Sequence, residues 1–241
     1  MGNQMMNDFL TALSFISRLP VKLNNTENFE TNIKKAPSYF TLVGYIPGFI
    51  YFFTSLWSEN IFIRIAGIAA GFYLFDLFHF DGLLDMLDGF LNQSDKEKRL
   101  LIMSKGNVGP FAVFYGTLYV IAFYNLFSHL DPTDFLFGSV FGRYSMSILI
   151  SISKPAKNTG LGAMFFPAYK YTPLIAALFS APMLCLGCVK FILSFLVSFL
   201  TAIFVKIISE KKISGITGDV IGGTSLLSQM FILLSIAGVE L

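Results

Sequence analysis

Charge is scarce in this 241-residue chain. Asp, Glu, Lys and Arg make up 13% of it, against 54% hydrophobic and 16% aromatic residues, about half the charged share of an ordinary soluble domain. A water-soluble core of this length has no room for so much apolar surface, and a mean hydropathy of +0.67 agrees. The shortage excludes a disordered chain, a collagen-like fibre and a soluble Rossmann or barrel enzyme. Histidine and cysteine are scarcer still, with two of each. Cys185 and Cys188 form a CLGC inside an apolar run with no second pair, so they read as inert buried thiols rather than a disulfide or metal site. No basic block is dense enough for nucleic acid. The opening MGNQMMNDFLTALSFISRLP has neither the basic region nor the cleavage site of a signal peptide, and it lacks the Ser or Thr that myristoylation requires.

Long apolar runs are what the chain has in plenty. A bilayer core needs about 20 mostly apolar residues per helix. Runs of that kind cover 39–57, 61–80, 108–127, 133–152, 172–188, 191–208 and 220–238. Backbone donors in lipid must be satisfied within the segment, so helices are the spanning element. The expectation is an all-α, polytopic integral membrane bundle in one membrane-embedded domain, 1–241, with about seven transmembrane helices. An N-terminal interfacial helix over 9–19 precedes them, ended by Leu19-Pro20. Of the 17 Lys and Arg, fourteen lie before the first span or in the loops on the same side, while Arg64 and Lys190 lie opposite and Arg143 falls inside a span. That bias puts the N-terminus in the cytoplasm. A multi-pass protein of the cell inner (cytoplasmic) membrane follows, its chemistry facing the cytoplasm, where the longer polar segments 81–107, 155–171 and 210–219 lie.

The decisive stretch is FDLFHFDGLLDMLDGF, 75–90. Asp81, Asp85 and Asp88 are spaced i, i+4, i+7, so their carboxylates project from one helical face. No Lys or Arg lies between Ile65 and Asp95 to neutralise them. Near a membrane such a group demands a cation, and Mg²⁺ suits it, preferring hard oxygen ligands and bridging carboxylates to substrate phosphate. Gly82 and Gly89 leave space for a phosphate or a neighbouring helix. Asp95 reads as a helix cap and Lys96, Lys98 and Arg99 as positive-inside charges. Lys105, Gly106, Asn107 and Gly109, just before a helix opening at Gly109-Pro110, make a candidate phosphate cradle.

These residues resemble the cobalamin synthase family (cobalamin 5'-phosphate synthase, adenosylcobinamide-GDP ribazoletransferase) along essentially the whole chain. FLTALSFISRLPV at 9–21 is similar to the family's opening, FTLVGYIPG at 40–48 to its first span and HFDGLLDMLDGF at 79–90 to its acidic signature. RLLIMSKGNVGPFAV at 99–113, Gly142-Arg143, NTGLGAMFF at 158–166 and ISGITGDVIGG at 213–223 follow in the family's order. The chain departs from that pattern in three places. The usual threonine-glycine-glycine run before the signature is missing, with Asp76-Leu77-Phe78 nearby. Lys105 replaces a usual aspartate, and Gln229 stands where a glutamate is frequent. These changes bear on contacts to base or corrinoid rather than on the metal ligands.

The resemblance implies transfer of the adenosylcobinamide-phosphate moiety from adenosylcobinamide-GDP to alpha-ribazole or alpha-ribazole 5'-phosphate. The products are adenosylcobalamin or its 5'-phosphate, and GMP. Mg²⁺ on Asp81, Asp85 and Asp88 would hold the diphosphate while the ribazole 3'-hydroxyl attacks. Asp88 is the candidate proton acceptor, with a purely ligating Asp88 equally consistent. Lys105 and Arg143 are candidate phosphate clamps, an ion pair with an acid of another span being the alternative for Arg143. Thr217 would meet a phosphate at the start of the last span, where Asp219 is either a remote ligand or an N-cap. Lys157 and Asn158 would touch nucleotide, and His79 would either bond a phosphate or pack between Phe78 and Phe80. Homo-oligomer formation is left open. Two other readings compete. A CDP-alcohol phosphotransferase would share the Asp81-Gly82 pair, but the alanine-arginine pair expected soon after it is absent. A polytopic transporter would show a second, repeated set of interrupted spans.

Overall fold

The computed structural model describes residues 2–22 and 29–240. Apart from one isolated bridge, its regular structure among these residues is helical. In chain order the elements are α1 (Gly2–Ile16), α2 (Phe29–Leu56), α3 (Ile61–Leu91), α4 (Lys96–Ser104) and α5 (Pro110–Leu126). They continue with α6 (Pro132–Ile152), α7 (Thr172–Leu186), α8 (Cys188–Ile213) and α9 (Gly218–Glu240). Their starts are written locally. Asn60 accepts from the backbone of Phe62 at 3.0 Å to open α3, Asp95 accepts from Lys98 at 2.9 Å to open α4 as expected, and Asp131 and Asp134 form a capping box at α6. Pro110 and Pro132 sit in first turns, where a missing N–H costs nothing.

Five helices are long and apolar enough to cross a membrane: α2, α3, α6, α8 and the Gly218–Val239 stretch of α9. The expected count of seven thus divides into five long helices and two shorter apolar ones, α5 and α7. The N-terminal helix runs over Gly2–Ile16 rather than 9–19, and it does not simply lie on a surface. Ala12, Leu13 and Ile16 are buried against the first turns of α2. Just beyond it, the Arg18 amide donates to the Leu74 carbonyl at 2.8 Å and its guanidinium covers the Tyr73 ring at 4.4 Å, strapping the N-terminus to α3.

α6 is the axis of the bundle. It packs against α9, α2, α8 and α7, and every residue from Asp134 to Ile150 is buried. Gly138, Ser139, Gly142 and Ser145 let the neighbouring backbones approach, the small-residue packing that apolar solvents favour. α3, α5 and α8 instead turn large apolar side chains outward, among them Phe62, Phe114 and Val189, as lipid-facing helices do. Cys185 and Cys188 share that outer surface. They are free and exposed, not buried, because the α7–α8 corner carries them to the outside.

The second expected span was to end near Phe80, but α3 continues to Leu91 and carries the acidic residues in its last turns. Within it, Phe72–Asp76 forms a π-helical segment, a wider turn often associated with functional sites.

Candidate functional site

The last turns of α3 meet the first turn of α9. A Cβ on Gly82 would lie 2.7 Å from the Asp219 carbonyl oxygen, so only glycine permits this crossing. Thr217 caps α9, accepting from the Val220 amide at 3.4 Å while its hydroxyl donates to Asp219 at 3.1 Å. The loop after α6 is tied to the same place. Ala156 donates to the Ile216 carbonyl and Ile216 to the Lys154 carbonyl, both at 2.9 Å, and this bridge sets Lys157 near enough to act on Asp219 electrostatically. Further along, Gly162 abuts the Thr217–Gly218 backbone, which no side chain would allow.

Between these pieces lies a cavity of about 610 Å³ whose lining includes Asp81, Lys157, Thr217 and Asp219. Asp85, half-buried and outside that lining, has Asp219, Asp81 and Asp88 as its charged neighbours. Among the described residues none of the four carboxylates forms an ion pair with a basic side chain, and Lys157 acts on Asp219 from a distance, so the local charge is in negative excess. Among the described residues no three acidic, histidine or cysteine side chains converge closely enough to hold a metal by themselves. Mg²⁺, however, keeps several waters and is held by one or two carboxylates plus substrate phosphate. The carboxylates of Asp81, Asp85 and Asp219, the last of which also accepts from Thr217, have the chemistry for that mode.

Other expected residues go elsewhere. Both oxygens of Asp88 are engaged: Oδ2 accepts from the Gly109 amide at 2.5 Å and Oδ1 from the Ala112 amide at 3.0 Å. The carboxylate therefore caps α5 rather than facing the cavity, which explains the glycine at 109, since a Cβ there would sit 2.8 Å from it. Arg143 is not at the cavity either. Its guanidinium, fully buried, pairs with the equally buried Asp76 at 2.5 Å, realising the ion-pair alternative. Lys105 and Asn107 are exposed beside α4 and outside the cavity lining, and Asn158 faces a separate shallow surface recess.

Sequence reasoning passed over the partners of that buried pair. Tyr51 donates to Asp76 at 2.5 Å, and His79 lies with Nδ1 3.6 Å from the same carboxylate while lining the cavity. Gln229, the departure noted above, donates to Ser139 at 3.3 Å in the same interior. An acid and an arginine each inside a span were the available signal for the pair. The tyrosine carried none.

The sequence model of the family described as cobalamin-5-phosphate synthase matches residues 8–237. An adenosylcobinamide-GDP ribazoletransferase of Fervidobacterium nodosum is 55% identical over 231 residues, covering 95% of this chain and 96% of that protein. Those of Thermosipho melanesiensis and Kosmotoga olearia are 51% and 46% identical, with 95% and 97% of this chain covered and 97% and 99% of theirs. No solved structure matches the chain.

Proposed function

The chain belongs to the cobalamin-5-phosphate synthase family, and from that premise we propose that it transfers the adenosylcobinamide-phosphate moiety of adenosylcobinamide-GDP to alpha-ribazole or its 5'-phosphate, releasing GMP. The observation that carries the reading is the excess of carboxylates over basic side chains where α3 crosses α9, beside a cavity that also presents Lys157. In this reading one or two of Asp81, Asp85 and Asp219, together with substrate phosphate, would hold Mg²⁺, which when bound would offset the charge that gathers on the departing phosphate. Lys157 pairs with a phosphate oxygen, and the positive end of the α9 dipole favours another. The acceptor hydroxyl forms the new P–O bond and gives its proton to solvent water as the bond to GMP breaks. Asp88 and Arg143 act at one remove: Asp88 fixes α5 against the end of α3, and Arg143 anchors α3 through Asp76.

We further propose that α5 and α7 also cross, giving seven passages with the site in the cytoplasm. α3 and α6 both end at the site, the latter through the Lys154–Lys157 loop, so α5 must return the chain to the far end before α6 starts. α8 also ends at the site, through Ile216, which requires the same of α7. α5 has 17 residues, about 25 Å of helix, so the bilayer thins or the ends extend slightly to accommodate it. The fourteen basic residues on the site's side favour the cytoplasmic membrane with the cavity inward.

The test is purified protein in liposomes, given adenosylcobinamide-GDP and alpha-ribazole with Mg²⁺ or with a chelator. GMP and adenosylcobalamin should appear together and only with the metal. Release of GMP without a corrinoid product would point to hydrolysis and sink the transfer reading.

A further inference from the structure

The cavity changes character with depth. At its mouth the lining is exposed and rich in polar groups, with Asp81, Ser104, Lys157, Thr159 and Gly160. Its inner lining is buried and apolar, formed by Phe40, Met103, Met146, Phe165 and Ile221. Phe165, carried by the Leu161–Phe165 turn, stands edge-on to Phe15 and Phe40 with ring centroids 5.7 and 5.6 Å away. Of the polar residues in the lining, His79 alone is buried.

Three chemical pieces compete for this inner end: the donor's corrinoid, the donor's guanine and the acceptor's base. A volume of about 610 Å³ encloses a drug-sized molecule, and a corrin macrocycle with its amide arms and adenosyl group exceeds that. Guanine would fit, but its edge carries a ring N–H, an amino group and a carbonyl. With a single buried polar side chain available, most of these would lose water and gain no partner, at a cost that disfavours entry. The 5,6-dimethylbenzimidazole of ribazole presents a hydrocarbon edge, two methyl groups and one free ring nitrogen. An apolar floor of rings and thioethers beside one histidine matches that pattern.

We propose that the inner end of the cavity is the subsite for the acceptor's base and that Phe165 and Met146 set which bases are accepted. The placement rests on the ribazoletransferase reading. It leaves the diphosphate of the donor at the mouth, beside Asp81, Asp219 and Lys157, and the corrinoid outside the cavity.

The test measures KM for acceptor and donor separately in liposomes. With the wild-type protein, replacing alpha-ribazole by the riboside of unsubstituted benzimidazole should raise the acceptor KM about tenfold, the loss expected for two buried methyl groups. Phe165→Leu should raise the ribazole KM by a similar factor while the donor KM stays put, and that unchanged donor KM also reports an intact fold. An acceptor KM indifferent to the methyl groups would overturn the placement without recourse to any variant. So would a Phe165→Leu enzyme whose donor KM rises and whose acceptor KM does not. Wild-type protein that makes no corrinoid product at all would instead bring down the ribazoletransferase reading, and the subsite with it.

Discussion

Two aspartates of α3, Asp76 and Asp85, occupy opposite surroundings. Asp76 is fully buried and fully answered, with Arg143 and Tyr51 each at 2.5 Å. Asp85 is half-buried among Asp81, Asp88 and Asp219 and has no cation. A charge matched from within stabilises one arrangement of helices, because removing either member leaves the other stranded in a low-dielectric interior. A charge left unmatched weakens the fold slightly and is tolerated only where something from outside completes it. Identity of residue type and closeness in sequence therefore say little about role. The difference lies in what the facing helices bring.

Four substitutions test that contrast. Arg143→Met should have the largest effect, lowering stability in detergent by about 3–5 kcal/mol as Asp76 loses its partner. Thermal unfolding would measure it, and adding Asp76→Leu should recover much of the loss. A single variant as stable as the parent would show that the pair is incidental. Asp85→Asn should instead keep or slightly raise the melting temperature and reduce GMP release by about a hundred- to a thousandfold, roughly 3–4 kcal/mol of activation free energy. Equal unfolding and activity losses in this variant would erase the distinction drawn above. Asp88→Ala should fall between them. It strips the amides of Gly109 and Ala112 of their acceptor, at a cost of about 1–2 kcal/mol in stability, and activity should follow stability rather than fall ahead of it. Asp95→Asn should be nearly silent, within about 0.5 kcal/mol, since asparagine caps a helix as well as aspartate does. A large loss of activity there would extend the functional acids beyond the α3–α9 crossing.

Much of this arrangement was legible in the residues. The apolar runs give the spans because lipid imposes a length on any helix crossing it, and the i, i+4, i+7 spacing of Asp81, Asp85 and Asp88 gives the shared face. The upper limit of α3 was not legible, since a helix that is sheltered by α9 can carry aspartates past the point where lipid would end it. The fate of Asp88 was hidden for a related reason. Its partners, Gly109 and Ala112, lie on another helix, and one carboxylate looks like another until the amides that bind it are in place. Arg143 illustrates the same limit from the other side: a guanidinium within a span requires an anion, but a substrate phosphate and Asp76 satisfy that requirement equally well on paper. Cys185 and Cys188 misled because apolar surroundings in sequence mean burial in water-soluble proteins, whereas here the apolar surroundings include the outside.

The π-helical segment at Phe72–Asp76 has a consequence for how the acids are aimed. Each residue of an α-helix advances the chain by about 100° around its axis, and a π turn inserts an angular offset that everything downstream inherits. Asp76 closes the segment, turned toward α6, while Asp81 and Asp85 follow it, turned toward α9. If the same five residues relaxed to regular α geometry, each would advance by a larger angle than in the wider turn, and the whole acidic end would swing by roughly a quarter turn relative to the upstream half. Asp76 and Asp81 would then lose Arg143 and α9 as their respective facing partners together. The five-residue segment acts as a phase setting for α3, so its wider turn is constrained more tightly than its side chains.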